Sequence, residues 1–79
     1  MIVVLRASGL RIVIYVDDHP PPHVHVLGDG EAKIELGGPN DRPHVIDATG
    51  MKEGDLRKAL RTVTESKVLL LKEWSKLHE

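Results

Sequence analysis

The sequence predicts an α+β domain: a small antiparallel sheet of three or four strands, with a long C-terminal helix or a helix pair packed on one face. Two observations predict it. Up to residue 47, apolar residues come in short β-branched runs or alternate with polar ones, and turn residues separate the runs. After Gly50 the apolar spacing changes to steps of three and four, the period of a helix. The 79 residues make a single small domain, 1–79, with strands within 2–47 and helix within 52–78. A core of this size contributes only a few kcal/mol, so a staple or a partner is expected.

"IVVL" (2–5) is a short apolar run and "RIVIYV" (11–16) is rich in β-branched residues, with "ASG" as the turn between them. Pro20 to Pro22 exclude helix and cannot donate to a ladder, which predicts an extended polyproline II segment. "HVHVL" (23–27) and "EAKIEL" (31–36) alternate and flank "GDG", a hairpin signal. The register follows from burial. A three-residue loop at Gly28–Gly30 pairs Val26 with Ala32 and Val24 with Ile34, apolar to apolar. A two-residue loop would oppose His25 to Ile34 and mix the faces. The first register puts His23 across from Glu35 and His25 across from Lys33, on the face opposite Val24 and Val26.

"GGPNDRP" (37–43) reads as a loop and "HVID" (44–47) as a short strand. In the helical region Leu56, Leu60, Val63, Leu70, Trp74 and Leu77 form a stripe in which Lys67 is the only polar residue. Trp74 belongs to that stripe and so to the core. Glu53 and Asp55 suit the positive end of the helix; Lys72, Lys76 and His78 suit the other. One helix over 53–78 would be about 40 Å long, in a globule about 25–30 Å across. Either the helix breaks near "TVTES" (62–66) or its end packs on another chain. Val68, Leu69 and Leu71 widen the apolar surface and favour a partner, a second copy included. The expected partner-binding residues are Leu69 and Leu71, with Arg57 and Arg61 on the preceding turns. The plainer reading of Arg57, Lys58 and Arg61 is a solvated face paired with Glu53 and Glu65.

Composition limits the function classes. Eleven Lys+Arg against twelve Asp+Glu leave a charge of −1, so no global field draws the chain to nucleic acid. The absence of cysteine excludes disulfides and thiolate metal sites. The opening "MIVVLRASGLRIVIYV" is interrupted by Arg6, Gly9 and Arg11 and lacks a cleavage site, so the expected location is cytoplasmic, with no membrane partner.

Chemistry concentrates in "DDHPPPHVH" (17–25), which holds three of the five histidines. Residues two apart on a strand share a face, so His23 and His25 can turn both rings to one point. Three chemistries use such an arrangement. A divalent metal such as zinc would take His23 and His25, with Asp18, His19 and His44 as further candidate ligands and Glu35 beside them. A small ribonuclease would use His23 and His25 as acid and base, with Glu35 orienting and Lys33 contacting phosphate. The face could instead bind a partner or ligand without reaction. The plain alternatives are a solvent-facing histidine pair, Asp17 and Asp18 as turn formers, and His44 in a loop.

"IYVDDHPPPHVHV", then "DGEAKIEL" and "LLLKEWSKLH", resembles the small prokaryotic domain-of-unknown-function family 4160. The signature Asp-His-x-Pro-Pro-His-x-His matches Asp18, His19, Pro21, Pro22, His23 and His25. "EAKI" matches Glu31 to Ile34, and the late Leu-Leu-x-x-Trp matches Leu70, Leu71 and Trp74. Pro20 fills the free position, where a polar residue is more usual. The resemblance implies an α+β fold and one half of a toxin–antitoxin-like gene pair, with a small protein partner encoded nearby. It implies no catalytic residue.

Overall fold

The computed structural model describes residues 1–78. Strands β1 (Ile2–Ala7), β2 (Leu10–Ile14), β3 (His23–Leu27), β4 (Glu31–Glu35) and β5 (His44–Thr49) form one sheet in the order β1-β2-β3-β4-β5. All neighbours are antiparallel. The expected three or four strands are thus corrected to five. The short strand expected at "HVID" is the fifth, β5, which runs on to Thr49 and pairs along the whole of β4, from Glu35↔His44 to Glu31↔Thr49. That pairing satisfies the edge β4 would otherwise expose. Between Lys33↔Asp47 and Ile34↔Val45 the register shifts, leaving Ile46 as the extra residue of a bulge.

The turns follow local chemistry. Ser8 and Gly9 both have positive φ, 52° and 77°, which is the two-residue turn whose twist matches a hairpin. The β3–β4 register is the one that burial demands: Val24↔Ile34, Val26↔Ala32, His23↔Glu35 and His25↔Lys33, around the loop Gly28–Gly30. Gly30 has a second constraint, since a Cβ there would strike the backbone of Gly50 and Met51. The hairpin loop therefore lies directly on the link between β5 and the helices.

Two local expectations are corrected. β2 ends at Ile14, so Tyr15 and Val16 belong to a turn. The triple proline does not run straight as a polyproline II segment: the chain bends at Pro20 and Pro21.

Of the two helical alternatives, the pair is observed: α1 (Glu53–Glu65) and α2 (Lys67–Leu77), separated at Ser66, whose φ of −106° and ψ of 14° leave the helical region. The break falls at the end of "TVTES". It folds the helical region into a molecule measuring 33 × 27 × 19 Å, shorter than one continuous helix would need. Lys67, the polar residue of the apolar stripe, follows the break directly. Its ammonium donates to the carbonyl oxygens of Gly38 and Asp41, tying α2 to the β4–β5 loop. A long side chain at this place lays its methylenes along the stripe and delivers its charge beyond it.

Both helices close one face of the sheet. Ile12, Ile14, Val24, Val26, Ile34 and Leu36 are fully buried there, against Ala59, Val63, Leu70 and Trp74. The alternation of β3 and β4 thus reserves one face for the core and leaves His23, His25, Glu31, Lys33 and Glu35 on the other. No helix among the described residues is long and apolar enough to cross a membrane.

Candidate functional site

Asp18 closes the turn that follows β2. Its backbone N–H donates to the Tyr15 carbonyl at 3.0 Å, and the Tyr15 N–H donates to Asp18 Oδ2 at 3.3 Å. This is the turn-forming role that the residue type favours. The same Oδ2 also lies 3.3 Å from His23 Nε2 and 3.3 Å from His25 Nε2. The two imidazoles converge, with centroids 5.3 Å apart and planes at 69°. Asp18, His23 and His25 each bring one ligand-type atom within 4.8 Å of the others.

The other ring nitrogen of His23 sets its tautomer. His23 Nδ1 lies 2.9 Å from the Pro21 carbonyl oxygen, which can only accept, so Nδ1 carries hydrogen. The neutral ring then presents a lone pair at Nε2. His25 Nδ1 lies 3.3 Å from Glu31 Oε1 without hydrogen-bond geometry, so this contact fixes no tautomer for His25. Three atoms of types that can ligate a cation thus face one another: two imidazole Nε2 atoms and a carboxylate oxygen. His23 is only 4% exposed, and neither His23 Nε2 nor either ring nitrogen of His25 has a hydrogen-bond partner. Buried polar atoms in that state are costly, and a cation or a proton between the rings and the carboxylate relieves that cost.

Aromatic walls enclose the rings. Tyr15 meets His25 edge-on at 4.7 Å, and Trp74 of α2 lies 5.1 Å from His23. His78 stacks on Trp74 with ring centroids 3.8 Å apart, while its Nδ1 donates to the Trp74 carbonyl at 2.8 Å. His78 is accordingly a helix-end residue, in line with its dipole-favoured position.

The structure sorts the remaining sequence candidates. His19 is exposed and stands outside the cluster. Glu35 faces His23 in register, yet its carboxylate pairs with exposed His44 at 3.0 Å, which removes both from the cluster. The carboxylate beside His25 is Glu31, which sequence reasoning missed. The available signal was the diagonal neighbour: Glu31 stands two residues from Lys33, the direct partner of His25. Lys33 lines a cavity of about 300 Å³ together with Asp18, His19, Pro21, His23 and Ile46. Of the partner-face residues, Leu69 is exposed, but Leu71 packs partly into the core. Arg57 pairs with Glu53 at 3.1 Å, and Arg61 is exposed.

No curated protein and no solved structure matches the chain. Residues 9–75, a stretch that includes the cluster of Asp18, His23 and His25 and most of both helices, match the family described as Domain of unknown function (DUF4160), and the chain belongs to that family.

Proposed function

We propose that the protein is a metal-binding module in which Asp18, His23 and His25 hold one divalent ion, with zinc the best fit. The observation that carries this reading is the pair of 3.3 Å separations between Asp18 Oδ2 and the two Nε2 atoms. Ligands at zinc bond lengths of about 2.0–2.1 Å in a tetrahedron stand about 3.3–3.4 Å apart. Two imidazoles and one carboxylate suit zinc and its neighbours, whereas magnesium and calcium prefer all-oxygen shells. Pro21 and Glu31 would fix the ring orientations from outside, as second partners of metal-bound histidines commonly do. A bound ion would also join the β2–β3 turn to β3, supplying the staple that so small a core calls for. The acid–base reading of His23 and His25 has less support, because Glu35 is engaged by His44 and both Nε2 atoms face the same carboxylate.

Calorimetric titration of chelator-stripped protein with zinc should give one ion per chain. At a hundredfold excess over Kd, binding adds about 2.7 kcal/mol. In a chain of this length that raises Tm by roughly 10 °C or more. A Tm unmoved by zinc or by subsequent chelation rejects the proposal.

Membership of a two-gene pair is a second reading, favoured by surface rather than by the site. Val68 is 83% exposed and Leu69 43%, neighbouring apolar side chains on α2 that a small protein partner could cover. Co-expression with the adjacent gene product should yield a co-purifying complex that Leu69→Asp disrupts. Two proteins eluting separately would remove this reading.

A further inference from the structure

Asp18 and His23 do more than face each other, since both also line the cavity of about 300 Å³. Three ligands leave a zinc-type ion at least one position, and such positions are where catalytic zinc takes water or substrate. The same cavity is also lined by Lys33. Lys33 sits on β4 between His25 of β3 and Asp47 of β5, and forms no ion pair among the described residues. Its ammonium is therefore free to meet a ligand's charge. The other walls include Pro20, Pro21 and Ile46, all without hydrogen-bond donors on their side chains. The volume lies at the small end of ligand sites, and no Phe, Tyr or Trp lines it.

We infer that the cavity takes a small organic oxyanion, a phosphoryl or carboxyl group, with one oxygen on the metal ion, another at the Lys33 ammonium and a short apolar substituent against Ile46 and the prolines. This rests on the metal reading above. A metal ion and an ammonium on two sides of one anion form the clamp that such groups favour. Asp17 also borders the cavity, and its negative charge disfavours ligands carrying more anionic groups than the clamp can neutralise.

The test uses cobalt as a visible probe of the site. Cobalt-loaded protein is titrated with phenylphosphonate and with benzoate, and benzamide serves as the uncharged control. At least one anion should change the cobalt spectrum saturably, and benzamide should not; which anion acts tells the phosphoryl source from the carboxyl one. Lys33→Met should raise the anion's Kd about tenfold or more while leaving the cobalt Kd within twofold. Cobalt uptake with no anion response, an equal response to benzamide, or an unchanged Kd in Lys33→Met overturns the inference and leaves the metal reading standing. Failure to take up cobalt overturns both.

Discussion

Asp18→Asn should weaken zinc binding by at least about a hundredfold, close to 2.7 kcal/mol, while the metal-free protein stays as stable as the parent or becomes more so. The two signs come from one geometry. The backbone bond from the residue-18 N–H to the Tyr15 carbonyl does not depend on the side chain, so the turn after β2 survives. Asparagine removes the negative charge that a divalent ion needs. At the Oδ2 position it presents either its oxygen, which keeps the bond from the Tyr15 N–H, or its amide, which donates to His23 Nε2 or His25 Nε2 instead, so one hydrogen bond is made either way. One such bond contributes about 1 kcal/mol. Opposed changes in affinity and stability are the mark of a site held in a strained arrangement for a ligand. Zinc calorimetry and urea unfolding of stripped protein measure the two. A variant that binds zinc like the parent, or that unfolds well below it without metal, contradicts the assignment of Asp18.

Trp74→Ala should leave most molecules unfolded at 25 °C. Trp74 is 5% exposed and packs in the core cluster, with His23 on one flank and His78 on another. Removing a buried indole costs about 3–5 kcal/mol, which is comparable to the whole stability of a domain this small. The loss also strips the wall from His23 and the stacking partner from His78, so the end of α2 and the metal cluster should fail together. Circular dichroism with urea unfolding reads the effect. Trp74→Phe, which keeps an aromatic wall, should recover most of the stability. An alanine variant within 1 kcal/mol of the parent would show that the helix end does not carry the fold.

Most of the sheet was legible because strand periodicity is local. The alternation in "HVHVL" and "EAKIEL" admits one hairpin register without mixing faces, and that register is observed for His23, Val24, His25 and Val26. The fifth strand is longer than its sequence pattern shows, since the exposed residues of β5 alternate weakly and its pairing rests on the needs of β4. In the helical region, length against globule size required a break or an overhang. Which of the two applied depended on Ser66 and on Lys67 reaching the loop at Gly38 and Asp41.

The site divides along the same line. From the residues alone came the shared side of His23 and His25, the nearness of Asp18, and Lys33 and Glu35 as their cross-strand partners, because spacing along a strand and register across it are properties of sequence. Tertiary structure decided what those residues meet. The turn from Tyr15 to Asp18 swings one carboxylate oxygen between two rings, Glu31 reaches His25 on the diagonal, and Glu35 turns away to His44. Trp74, distant in the chain, covers His23. The physical reason is range: backbone periodicity repeats every few residues and is written locally, whereas the direction of a charged side chain is set by whichever partners the folded chain places within about 4 Å.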